Sequence, residues 1–120
     1  MNRRELNAAA RFACQLAQDA ARVLKDGFRK TGHVTYKGRI DPVTEYDLKA
    51  ERLITDRIAH RFPDHEILTE EGSATGAKSE CRWIIDPLDG TVNFAHGFPI
   101  YCVSIALQYR GETITGAVCD

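Results

Sequence analysis

The sequence predicts an α/β (α+β) fold in which two long helices pack on a mainly antiparallel sheet. Three observations carry this expectation. Two stretches before Pro63 repeat apolar residues at the i, i+3, i+4 spacing of a helix face. After Pro63 the repeat shortens to the alternation of strands. Near the end, Arg110-Gly111 separates two alternating runs, as in a hairpin.

The first helix is expected over residues 4–28. Leu6, Ala9, Ala10, Ala13, Leu16, Ala17, Ala20, Val23 and Leu24 share one face, and Arg3, Arg11, Gln15, Gln18 and Arg22 take the others. The stripe is mostly alanine, so a neighbouring helix can approach closely. Gly27 and then Lys30-Thr31-Gly32 are its stop signals. Residues 33–36 read as a short strand and residues 37–42 as a loop. A second helix starts near Thr44, whose hydroxyl can cap it, with Glu45 and Asp47 at the positive end of the dipole. Ala50, Leu53, Ile54, Ile58 and Phe62 form its apolar face, and Pro63-Asp64 ends it. Strands follow at residues 66–69 and 82–86, separated by a Gly/Ser/Ala/Thr-rich loop at residues 72–79. Residues 87–98 read as irregular, and residues 101–109 and 112–118 as the closing hairpin. No helix or sheet is apparent beyond that hairpin to cover it, which suggests the first part of something longer.

Composition narrows the function. The 120 residues carry 16 basic and 17 acidic side chains, a net charge of −1, with 28% charged and 43% hydrophobic residues. This is a globular mix, not a disordered polymer. The balance argues against strong nucleic-acid binding. Neither a membrane span nor a signal peptide is apparent, so the reading is cytoplasmic. Cys14, Cys81, Cys102 and Cys119 show no CxxC or Cys/His cluster, and read as reduced thiols, mostly small buried apolar residues. His33, His60, His65 and His96 lack ligand spacing and read as solvent-exposed. Arg52, Arg57, His60 and Arg61 give the second helix a basic, solvated face. Lys37 sits in a loop near the presumed site.

Three groups of acids point to chemistry. In Asp86-Pro87-Leu88-Asp89-Gly90-Thr91, an apolar strand delivers Asp86 as its last residue, and Asp89 follows three residues on. Two carboxylates in one crevice repel unless cations neutralise them, and such oxygen donors suit Mg²⁺ or Mn²⁺. Gly90 and Thr91 offer backbone N–H groups for a phosphate, and Thr91 a hydroxyl. The same segment also reads as a plain surface turn. Thr69-Glu70-Glu71-Gly72 can bring a carboxylate to the same crevice, or form a solvated loop. Asp47, three residues before Ala50, lies on the apolar side of its helix, or serves only the dipole. Together the acids supply what metal-assisted phosphoryl transfer needs.

At these residues the sequence resembles the inositol monophosphatase family of Mg²⁺-dependent, lithium-sensitive sugar phosphatases. Asp86-Pro87-Leu88-Asp89-Gly90-Thr91-Val92-Asn93-Phe94, followed by Phe98-Pro99 and Val103-Ser104-Ile105, is similar to the family's first signature. Asp41-Pro42-Val43-Thr44-Glu45-Tyr46-Asp47 and Thr69-Glu70-Glu71 resemble two further blocks in the expected order. The resemblance implies that Glu70, Asp86 and the Leu88 carbonyl bind a first metal, Asp86 and Asp89 a second, and Glu70 helps hold a third. Thr91, hydrogen-bonded to Asp47, would activate water, and the amides of Gly90 and Thr91 would hold phosphate. Glu71 ranks below Glu70, and Thr69 stands where many members have Gly. The family's second signature, Trp-Asp-x-Ala-Ala-Gly, with a further ligand of the second metal, is absent; Trp83 is the sole tryptophan. Residues 1–120 are therefore expected to be the N-terminal, metal-binding portion of a layered α-β-α-β-α fold about twice as long. The implied activity is hydrolysis of inositol monophosphate or a related sugar phosphate, by a homodimer when full length. The runners-up are a fructose-1,6-bisphosphatase or nucleotide 3′-phosphatase relative, and a non-catalytic module that binds a protein partner in transcription.

Overall fold

The computed structural model describes residues 1–31, 44–69, 74–76, 78–96 and 98–120. Helix α1 runs over Arg3–Thr31 and helix α2 over Thr44–Arg61. They are followed by strands β1 (Glu66–Thr69), β2 (Ala74–Thr75) and β3 (Cys81–Asp89), a short helix α3 (Thr91–Ala95), and strands β4 (Cys102–Tyr109) and β5 (Glu112–Cys119). The expected strand and loop at residues 33–42 lie outside the described residues.

Both long helices form where their apolar periodicity places them. Ala9, Ala13, Leu16, Ala17, Ala20 and Leu24 of α1 and Ala50, Ile54 and Ile58 of α2 are all essentially inaccessible. Asn2 caps α1: its side-chain oxygen accepts the Glu5 N–H at 2.8 Å while Glu5 reaches back to Asn2, a reciprocal cap. Across the helix pair, Arg57 of α2 holds Asp19 of α1, and Arg22 and Gln15 bind the same carboxylate at 2.8 and 2.9 Å. The Arg57 hydrogen bond foremost, with that of Gln15 and the charges of Arg57 and Arg22, holds the Asp19 carboxyl below its ordinary value.

Gly27 does not stop α1, which continues to Thr31. A Cβ at Gly27 would collide with the ring of Tyr46, which is buried in the first turn of α2. The glycine therefore sets how closely the two helices meet.

The five strands lie in the order β2-β1-β3-β4-β5. Three pairings are antiparallel; β1 and β3 run parallel, with Ile67 opposite Trp83. The two-residue β2 lies inside the segment expected to be loop and pairs antiparallel with β1, with Ala74 opposite Leu68. One sheet face meets the helices and buries Ile67, Trp83, Ile85, Val103, Ile105 and Leu107. The alternation expected for β4 holds, since Cys102, Ser104, Ala106 and Gln108 on the other face stay partly accessible. The hairpin turn is tight, with Arg110 and Gly111 both at positive φ (52° and 82°). The hairpin is not bare: α1 packs against β5 and part of β4.

Trp83 sits at zero exposure beneath Phe12 of α1 and Phe62 after α2, at ring distances of 5.9 and 5.5 Å. Its indole N–H donates to Nδ1 of His65 at 3.0 Å. His65 is therefore partly buried, contrary to the expected exposure, because a buried indole needs an acceptor. His60 and His96 are exposed as expected; His33 lies outside the described residues. The cysteines also depart from expectation. All four are free thiols, but Cys14 is exposed and the other three are only partly buried.

Candidate metal and phosphate site

β3 carries the acids. It does not end at Asp86, as expected, but continues through Pro87 to Asp89. Side chains alternate along a strand, so residues three apart normally face opposite ways. Here Asp86 pairs with Ser104 and Asp89 with Cys102, so three steps on β3 oppose two on β4. The extra residue is a β-bulge. It lets Pro87 and Leu88 both turn to the core and leaves Asp86 partly accessible and Asp89 exposed on the opposite face. The bulge is thus what aims the two carboxylates the same way.

The segment after the bulge is not irregular, as expected, but folds tightly around it. The Leu88 N–H donates to Asp86 Oδ1 at 3.2 Å, and the Thr91 hydroxyl donates to the Leu88 carbonyl at 3.2 Å. Gly90 adopts a φ of 93°, and its carbonyl accepts the Phe94 N–H at 3.0 Å, closing α3. A Cβ at Gly90 would stand 2.8 Å from the Ile100 carbonyl, so only glycine fits both the dihedral and the space. Phe94 anchors α3 with zero exposure, edge-on to Tyr101 at 5.0 Å and to Phe28 of α1 at 5.8 Å. Asn93 ties α3 to the following segment by donating to the Ile100 carbonyl at 2.9 Å.

A groove of about 430 Å³ opens beside these residues, lined by Asp89, Gly90, Asn93, Ile100, Tyr101 and Cys102 among others. Its field is negative. The Cys102 thiol approaches Asp89 Oδ2 at 3.8 Å, and burial first, then Asp89 and Asp86, push its pKa above the ordinary value. Burial likewise raises the Tyr101 phenol.

Of the expected site residues, Asp86, Leu88, Asp89, Gly90 and Thr91 come together on this one turn. Asp47 stands partly buried in the first turn of α2. Glu70, Glu71, Asp41 and Lys37 lie outside the described residues, as does the Thr44 side chain. Among the described residues, no three or more His, Cys, Asp or Glu side chains form a group able to hold a metal. Cys102, Tyr101 and Asn93 were not picked out from sequence as site residues. The phase of alternation in β4 places Cys102 off the core face, but its facing Asp89 depends on strand register.

The sequence profile of the inositol monophosphatase family matches residues 5–120. The chain belongs to the inositol monophosphatase family. It is 43% identical over 110 residues to "Inositol monophosphatase 3" of Solanum lycopersicum, covering 88% of this chain and 41% of that protein. It is 39% identical over 118 residues to "Nus factor SuhB" of Pasteurella multocida, covering 96% of this chain and 44% of that one. Its fold superposes on the solved inositol monophosphatase of Anabaena with a TM-score of 0.81 at 34% identity, over 97% of this chain and 41% of that chain. The chain thus spans about two-fifths of the length of these family members. The superposition bears out the layered α+β architecture. Among the described residues, no helix is long and apolar enough to cross a membrane.

Proposed function

We propose that this chain forms the metal- and water-handling portion of a Mg²⁺-dependent phosphatase acting on inositol monophosphate or a related small sugar phosphate. The observation that carries the reading is the bulge in β3, which turns Asp86 and Asp89 to one side with the Leu88 carbonyl between them. The donor set fits a divalent ion. It consists of hard oxygens, and its two like charges, after burial, both act to raise the pKa of the neighbouring Cys102 thiol.

Asp86, Asp89 and the Leu88 carbonyl, joined by Glu70, would hold two to three Mg²⁺ ions, with Mn²⁺ able to substitute. Bound there, the ions supply charge neutralisation and a lower pKa for water. The chain's own groups do the rest. Asp47 and Thr91 orient the attacking water and take its proton: the Thr91 hydroxyl turns its one hydrogen from the Leu88 carbonyl to the Asp47 carboxylate, a lone pair on its oxygen accepts from water, and the proton given up by water passes through Thr91 to Asp47. The Gly90 and Thr91 amides hold the phosphate oxygens. Gly90 keeps them accessible, since any side chain there would force the turn open.

The test is phosphate release from inositol 1-phosphate in Mg²⁺ by a fusion of this chain to the remaining segment of the Anabaena relative. Fructose 1,6-bisphosphate and a 3′-nucleotide are the competing substrates. Asp86→Asn is expected to lower turnover by about 100-fold or more, at or beyond the upper end of the loss seen when only an outer-shell partner of a metal is removed. No release from any monophosphate, with Asp86→Asn indistinguishable from the parent, overturns the enzyme reading.

A second reading has its own support. A relative named as a Nus factor favours a protein-binding role in transcription for the same fold. Protein capture that survives the Asp86→Asn/Asp89→Asn double substitution would favour it. A cytoplasmic homodimer completes the proposal.

A further inference from the structure

The hydrogen bond between Trp83 and His65 lies outside the site described above, and its chemistry depends on a proton. Trp83 is fully buried, and its indole can only donate. Its acceptor is Nδ1 of His65 at 3.0 Å, so the His65 proton sits on Nε2. The imidazole stacks on Phe62 at 4.7 Å, with the ring planes 10° apart. The three rings join the end of α2, the entrance to β1 and the middle of β3. The carbonyl of His65 is closely approached by Gly76, just past β2, where an added Cβ would lie 2.9 Å away.

A protonated imidazole has two donors and no acceptor. Adding a proton at Nδ1 therefore abolishes the bond, sets two donors face to face, and leaves a buried indole N–H unsatisfied. We propose that the Trp83–His65 hydrogen bond is a proton-operated latch: protonation of Nδ1 releases Trp83 and loosens the seam where β1 meets β3.

The surroundings act on this proton in both directions. Burial opposes it, and Asp64 beside the ring favours it; burial is the larger effect and holds His65 below its ordinary value. Arg61, at the end of α2, lies over the Phe62 ring at 5.1 Å. Glu66 and Arg82, next along β1 and β3, are paired with each other at 3.1 Å. The residue of α1 against the cluster is Phe12, and β2 carries no ionisable residue. A group held neutral in the fold adds stability that is fully present above its unfolded value and is lost as pH falls below it.

Trp83 is the sole tryptophan, so its emission reports the latch directly. In the 120-residue chain, titration from pH about 8 to about 4.5 is expected to show a one-proton step with its midpoint below about 6.5. His65→Asn places an amide oxygen near the position of Nδ1 and cannot titrate. It should keep the high-pH emission and lose the step. His65→Phe keeps the stack without an acceptor and should show the released emission at every pH. In the unmodified chain, the Trp83 indole proton resonance should move with the same midpoint, a readout that needs no variant to fold. A flat titration of the unmodified chain, or a step that persists at the same midpoint in His65→Asn, overturns the proposal.

Discussion

Gly90 shows how much one residue does in this site. Its φ of 93° and the 2.8 Å that a Cβ would leave to the Ile100 carbonyl make two separate demands for glycine. An alanine must strain the backbone and push back the segment that leads into β4. Gly90→Ala is expected to cost about 2 kcal/mol or more, read from the midpoint of urea unfolding. The run Asp86-Pro87-Leu88-Asp89-Gly90 was legible as chemistry because its residue types are so specific. What the run does not encode by itself is direction. Period two alone separates Asp86 from Asp89, and only pairing with Ser104 and Cys102 on a distant strand reveals the bulge that reunites them. Cys102, read as a buried thiol, and His65, read as solvent-exposed, differ from those readings for the same reason: each owes its place to a partner 13 or 18 residues away.

At the scale of elements, local pattern was a good guide wherever one face meets the core. Most of the α1 stripe is buried, with Leu6, Ala10 and Val23 at its margins partly accessible, and β4 buries Val103, Ile105 and Leu107 as its alternation predicts. Pattern misled where a residue type has two uses. Gly27 reads as a helix stop by composition, yet it lies inside α1 because the Tyr46 ring occupies the space a side chain would need. Pro87 opens the stretch that reads as irregular, yet it lies within β3 at the bulge, where a missing N–H is tolerated. These two forces on Gly27 have opposite signs. Alanine in a helix interior gains about 1 kcal/mol over glycine, while overpacking costs about 1–3 kcal/mol. Gly27→Ala is therefore expected to destabilise by about 1 kcal/mol, and to become neutral or stabilising when Tyr46 is also replaced by alanine. Urea unfolding of the four chains in this cycle measures the coupling directly.

At the scale of the whole molecule, about two-fifths of the family's length is present, and the described residues bring together two acids rather than a full ligand set. We expect the 120-residue chain alone to bind Mg²⁺ weakly and to turn over inositol 1-phosphate poorly or not at all, as titration calorimetry and phosphate release would show. Robust turnover by the isolated chain would refute this. The packing of α1 against β5 has a consequence for synthesis. α1 is made early, and α2, which packs on one side of it, follows about a dozen residues after its end, but β4 and β5, which cover the rest of its stripe, follow only some 70 residues after it. At about 5–20 residues per second, the ribosome leaves the sheet-facing part of that stripe uncovered for seconds. A long helix of low apolar bulk, rich in alanine instead of leucine, is well suited to that wait. It buries enough to dock once the hairpin arrives, and presents too little grease beforehand to seize a wrong partner.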